Sequence, residues 1–167
     1  MSKLLTPVTI LFAFFLLCTH LTLHAAEIGK TAPEAALQGV STSSKLSDFK
    51  GKLVYLDFWA SWCGPCKKSF PWMNAMQSKY ESQGFKIIAV NVDTDIGDWK
   101  NFLATVPANF DIALDPKGIT AKLFDIKGMP TSILIGRDGK VIAQHSGFND
   151  ETRNRIEKEI QLQLEVK

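Results

Sequence analysis

The chain is poor in groups that bind metals. Its 167 residues include three cysteines and three histidines, and no second Cys-X-X-Cys stands beside the one at Cys63–Cys66. Two histidines, His20 and His24, and one cysteine, Cys18, fall within the first 25 residues, so His145 is the single imidazole beyond them. A closed zinc site takes about four ligands, so no structural metal centre is expected. Excess charge is lacking too: nineteen Lys and Arg face seventeen Asp and Glu, a net +2, which argues against nucleic-acid binding driven by net charge. There are no internal repeats or low-complexity segments, and eleven Gly and seven Pro are too few for a collagen-like or disordered chain. The composition predicts one globular domain.

Long apolar runs are also scarce. The main one, Val8–Leu17, covers ten residues without charge or Gly, against roughly 20 needed to cross a bilayer. Lys3 stands before it and the small pair Ala25 and Ala26 after it, which is the layout of a secretory signal. Extending the run to Leu23 gives sixteen residues, and an uncleaved anchor is the alternative reading. Leu17 precedes Cys18, where a lipoprotein signal would want a small residue. The expected organisation is a signal peptide or anchor over 1–25 and a single domain over 26–167. That domain is expected in the periplasm or otherwise outside the cytoplasm, with membrane contact only if the leader is retained.

Removing the leader removes Cys18 and leaves Cys63 and Cys66. Structural disulfide frameworks link distant segments, whereas a pair three apart closes a tiny loop and restricts the unfolded chain little on the loop-entropy model. The pair is therefore catalytic or metal-binding.

Its surroundings read as alternating strands and helices. Residues 26–52 are polar and small, and predict an N-terminal extension with a short strand or hairpin. Leu53–Ala60 is a continuous apolar and aromatic run bounded by Gly51, the pattern of a central strand buried on both faces. Lys67–Gln83 carries apolar residues at 70, 73, 76 and 80, one helical face, and stops at Gly84. Phe85–Val92 predicts a second buried strand, Asp95–Ala104 a helix with Trp99, Phe102 and Leu103 on one side, and Phe110–Leu114 a short strand. Asp115 should cap a helix with Pro116 at its first position, running to about Phe124. Thr131–Ile135 and Lys140–His145 predict a hairpin across Arg137-Asp138-Gly139. Asn149 to about Glu165 predicts a closing helix, apolar at 156, 160 and 164. The sum is a mixed α/β sandwich.

Cys63 falls at or just before the start of the first long helix. Unpaired N–H groups and the positive end of the helix dipole favour a thiolate there, and such settings lower a Cys pKa from about 8.5 toward roughly 3.5–7.5. Cys63 thus reads as the nucleophile. Cys66, nearly a turn further in, should be more buried and placed to attack a mixed disulfide on Cys63. Pro65 suits the first helical turn, where its missing N–H has no intrahelical partner. Asp57 is the lone acid in the apolar strand; burial should raise its pKa and suit it to relaying a proton. A strand-end Asp reaching solvent is the competing reading. Pro130 precedes a strand, and on base rates alone a trans bond is the better expectation.

The segment Leu56-Asp57-Phe58-Trp59-Ala60-Ser61-Trp62-Cys63-Gly64-Pro65-Cys66-Lys67 resembles the active-site segment of thioredoxins, and Gly128-Met129-Pro130-Thr131 resembles their cis-proline loop. With the leader, the Gly29–Pro33 stretch and the long segment from Asp93 to Pro130, the chain is similar to the exported TlpA/ResA branch from about Ile28 to Glu165. The resemblance implies a thioredoxin fold: a mixed central sheet flanked by helices, with an N-terminal extension and a central helix-strand insertion. One departure is Ala35, where the family often has Phe. It further implies that Asp57 deprotonates Cys66, that Pro130 is cis, and that the backbone at Met129 pairs with substrate chain.

Trp62 is expected on an apolar rim that receives substrate, next to Gly64 and Pro65, and Trp59 in the core or walling the site. Pro71 is read as structural, Lys67 and Lys68 as solvated, His145 as a surface or packing residue, and Trp72 as exposed. The expected activity is thiol–disulfide exchange without cofactor or metal. Disulfide-containing proteins are the substrates and a membrane thiol reductant the electron donor; apocytochrome c before haem attachment is a candidate client. A disulfide-donating oxidase or isomerase and a non-catalytic Cu(I) chaperone are the rival readings. A peroxidase relative fits the cysteine spacing less well.

Overall fold

The computed structural model describes residues 26–40 and 45–166. The leader, with Lys3 and Cys18, and the Ser/Thr cluster Ser41–Ser44 lie outside them.

The apolar run beginning at Leu53 forms β1 (Leu53–Trp59), buried along its whole length. It is followed by α1 (Gly64–Tyr80), β2 (Phe85–Asn91), α2 (Ile96–Thr105), β3 (Asp111–Leu114), α3 (Ile119–Leu123), β4 (Thr131–Ile135), β5 (Val141–Ser146) and α4 (Asp150–Glu165), with 3-10 turns at Leu46–Phe49 and Glu81–Gln83. The five strands lie in the order β3-β2-β1-β4-β5. β1 runs parallel to β2 and β2 to β3, while β4 is antiparallel to both β1 and β5. The sheet is therefore mixed, with β1 at its centre, as the sequence predicts. The expected insertion is α2 with β3, which adds an edge strand beyond β2.

Strand alternation divides β1 between two cores. Leu53, Tyr55 and Trp59 pack with Cys63, Cys66 and Phe70 of the α1 segment and with Ile156 and Ile160 of α4. Val54, Leu56 and Phe58 face the other way, toward Ala35, Leu37, Leu46, Phe49 and Phe124. Helix α1 buries Cys66, Phe70, Met73, Met76 and Tyr80, the stripe its spacing predicts. Gly84 closes the following turn at φ 85°, a left-handed conformation that Gly adopts without steric cost. α4 starts at the cap Asn149, whose side chain accepts from Thr152 N–H.

Three expectations change. Among the described residues, the N-terminal extension makes single bridges, Thr31–Lys140, Ala36–Lys45 and Gln38–Leu114, and no continuous strand; Pro33 has no N–H for a ladder, and Gly29 and Gly39 take positive φ. It still seals the second core, with Ala35 and Leu37 buried. The helix expected from Pro116 begins at Ile119, because Gly118 at φ 64° interrupts right-handed winding. Asp115 nevertheless serves that helix, accepting from the Ile119 and Ala121 N–H groups at 2.8 Å each. Trp72 is half-buried, edge-on to Tyr55 and tilted against Phe148. The sequence placed His145 at the surface or in packing; it is buried, its ring bonded to Glu159.

Candidate active site

The chain leaves the sheet after Trp59 and turns into α1 within a few residues, so the two cysteines sit at the seam between strand and helix. Cys63 is the N-cap of α1, in extended conformation, and its Sγ accepts from the Cys66 N–H at 3.2 Å. Pro65 lies in the first turn, where no N–H is missed. The two sulfurs are joined as a disulfide with Cα atoms 5.3 Å apart. In this oxidised form Cys66 is sealed and Cys63 keeps 4% of its surface. Gly64 leaves open space beside the pair: a Cβ there would meet nothing within 4 Å. Trp62 is 71% exposed, an apolar ring held in solvent next to the disulfide, and Lys67 and Lys68 are exposed on the next turn.

Asp57 does not reach solvent. It is 1% exposed, and Oδ2 has no hydrogen-bond partner. Burial raises its carboxyl well above the ordinary Asp range, because the ionised form loses water without gaining a counter-charge. Its place on β1 puts it on the face of Tyr55 and Trp59, the face that packs Cys66. Burial also raises the Tyr55 phenol, as does the nearby Asp57 charge, while a hydrogen bond with Ser132 opposes that shift.

Pro130 follows Met129 through a cis bond, as the resemblance implies and base rates alone do not. The register brings this loop to the cysteines' end of the sheet: Phe58 pairs with Thr131, so the residue before β4 lies beside the end of β1. Met129 is half-buried against both cores, and the Thr131 hydroxyl donates to Gly128 C=O at 2.7 Å. Trp59 is wholly buried, edge-on to Phe70, which makes it core. Pro71 sits inside α1.

One partner of this site escapes the sequence. Asp93, just past β2, accepts from the Ser61 N–H at 3.0 Å and the Ser61 hydroxyl at 3.1 Å, and from Asn91 Nδ2 at 2.8 Å. It thereby ties the residues entering the Cys-Gly-Pro-Cys turn to the neighbouring strand. The available signal was Asn91-Val92-Asp93, two polar residues ending a buried strand. Among the described residues, no group of three or more His, Cys, Asp or Glu could hold a metal ion.

Comparison with known proteins agrees with this arrangement. The Redoxin family model matches residues 27–160. The thiol-disulfide oxidoreductase ResA of Bacillus thuringiensis subsp. konkukian (strain 97-27) is 41% identical over 133 residues, covering 78% of this chain and 75% of its own. ResA of Bacillus subtilis (strain 168) is 38% identical over 125 residues, covering 74% and 70%. Among solved structures, a chain described as thiol:disulfide interchange protein DsbE from Chlorobium tepidum superposes with TM-score 0.80 at 54% identity, covering 84% of this chain and 99% of that one. The paired cysteines at a helix start, the mixed five-stranded sheet and these relatives together show that the chain belongs to the redoxin family and is one of its thiol–disulfide oxidoreductases.

Proposed function

We propose that the protein works outside the cytoplasm as a reductant of protein disulfides, entering that space through its N-terminal signal. In its dithiol form, the Cys63 thiolate attacks one sulfur of a substrate disulfide. That bond breaks, one substrate thiolate leaves and takes a proton from water, and a mixed disulfide joins Cys63 to the other half. Cys66 then gives its proton to Asp57, and its thiolate attacks Cys63 Sγ. The second substrate thiolate departs, and the Cys63–Cys66 disulfide closes. Two electrons have passed to the substrate, and a membrane thiol reductant restores the dithiol.

Trp62, Gly64 and Pro65 form the receiving rim, and the Met129–Pro130 backbone pairs with the substrate chain. No resident cofactor or metal takes part. Apocytochrome c thiols before haem attachment fit this chemistry as a client.

The observation that carries this reading is a cysteine pair at the N-terminus of α1, packed on the face that buries an unpaired carboxyl. The test is the equilibrium with glutathione together with a Cys66→Ser trap in the exporting cell. A potential near the roughly −270 mV of thioredoxin and a Cys63-linked adduct with a client protein are expected. A potential near about −120 mV, that of strong oxidants, would reverse the direction. Tight Cu(I) binding without insulin reduction would replace exchange by copper carriage.

A further inference from the structure

Three polar residues stand directly opposite one another across the middle of the sheet. Asp57 of β1 pairs with Ser132 of β4, and Ser132 pairs with His145 of β5. Residues paired across antiparallel strands share a face, with Cβ atoms about 4.5–5.5 Å apart, so the side chains form one row on the face covered by α1 and α4. They are 1%, 3% and 4% exposed respectively. At the far end the row meets α4: His145 Nε2 lies 2.8 Å from Glu159 Oε2, and that side chain keeps 29% of its surface in solvent. Two atoms in the row, Asp57 Oδ2 and His145 Nδ1, are buried without a hydrogen-bond partner. The Ser132 hydroxyl between them is bonded to the Tyr55 phenol. Buried polar atoms are normally satisfied, and two unsatisfied ones separated by a single hydroxyl rotor ask for a function.

We propose that Ser132 and His145 carry protons between Asp57 and solvent, with Glu159 as the outlet. This rests on the reading of Asp57 as the base for Cys66. A carboxyl sealed in the sheet has to be ionised before it can take the Cys66 proton, so a proton it already holds must first reach solvent. β2 offers no route, since Ala89 is its residue opposite Asp57. Among the described residues, Tyr55 on the same strand lies near Asp57, Cys66 of α1 packs in the core on that face, and Glu159 of α4 is bonded to His145.

The steps balance. With Nε2–H donating to Glu159, His145 Nδ1 is an acceptor. On the way out, Asp57 protonates Ser132 Oγ, Ser132 passes its own hydroxyl proton to Nδ1, and Nε2 releases a proton through Glu159 to water. His145 is left as the other neutral tautomer. When the disulfide is reduced again, Cys66 needs a proton, and the same groups run in reverse from water to Asp57, which restores the first tautomer. One proton leaves and one enters per cycle, with no further reactant. Ser132 and His145 act through Asp57 and are positioning residues for its proton.

The test is single-turnover oxidation of the full dithiol protein by a small disulfide, followed against pH, in H2O and D2O, with and without added imidazole. Ser132→Ala, His145→Ala and Glu159→Gln are compared with Asp57→Asn. Expected is an approximately tenfold slower resolution near pH 7 in Ser132→Ala and His145→Ala, a smaller loss in Glu159→Gln, an altered pH profile and solvent isotope effect, and recovery of rate with imidazole; these losses fall below the roughly 10²–10⁴-fold of a general acid–base group itself, because Asp57 is retained. Glu159→Gln, at the half-exposed end, keeps the test open if the His145 variant does not fold. Ser132→Ala and Glu159→Gln at wild-type rate and pH profile, beside a slow Asp57→Asn, would overturn the relay and leave the base intact. Slow variants with unchanged pH profile and isotope effect and no imidazole recovery would reduce the row to packing, and also overturn it. An Asp57→Asn protein with unaltered kinetics would remove the base itself.

Discussion

Asp57 holds a carboxyl where water cannot solvate its charge, and this has consequences for stability as well as chemistry. Its pKa is raised in the folded protein above the unfolded value of about 3.9, so the folded state holds the proton over a pH range where the unfolded state has lost it. The sign follows from linkage: the unfolded state binds fewer protons there, and stability falls as pH rises. This contribution is fully present below about pH 4 and is lost as pH climbs to the raised folded value. Asp57→Asn should therefore make the oxidised protein more resistant to urea at pH 7, with the advantage shrinking toward pH 4. Equal advantage at both pH values would mean that the charge is not what the substitution relieves. Trp62 calls for a different measurement. With 71% of its surface in solvent it does little for the core, so Trp62→Ala should raise KM for protein disulfides several-fold while leaving the unfolding midpoint and the rate with a small disulfide nearly unchanged.

At the level of elements, the site depends on how the chain enters α1. Cys63 is held from its own helix by the Cys66 N–H and, through the residues before it, by Asp93 on the neighbouring strand's extension. Hydrogen bonds to charged groups contribute about 1.5–3 kcal/mol each, and removing a buried acceptor leaves its donors unpaired. Asp93→Ala should cost about 3 kcal/mol in urea unfolding and slow reaction with protein substrates; a cost near zero would mean that the turn is held by packing alone. On the opposite side of the same core, Ile160 of α4 is fully buried against the sheet. Ile160→Ala should destabilise by about 2–5 kcal/mol, the range for deleting buried methyl groups, read as a lower denaturant midpoint.

For the molecule as a whole, redox state and stability are linked. A strong oxidant owes its potential to a reduced form that is the more stable one. A reductant requires the reverse order, so the oxidised protein should unfold at a higher denaturant concentration than the dithiol form. Parallel urea titrations with and without reductant measure this directly, and the opposite order would turn the proposed direction of electron flow around.

Much of this was legible along the chain because it depends on neighbours in sequence. The unbroken run of β1 required burial on both faces, the apolar stripe of α1 matched one helical face, and the residues around Cys63-Gly64-Pro65-Cys66 placed the pair at a strand-to-helix junction. These are consequences of local periodicity and of the helix terminus, and they held. Asp57 was legible as an anomaly, a lone acid among apolar residues, but whether it met solvent depended on which strands flanked β1. The tertiary structure alone decided that Asp93 clamps Ser61 from another strand. It also decided that Pro116 opens a turn rather than a helix, and that Ser132 and His145 line up with Asp57. Each of these follows from strand register or from the left-handed Gly118. Register joins residues far apart in the chain, and no local pattern of hydrophobicity specifies which partner a buried polar side chain will meet.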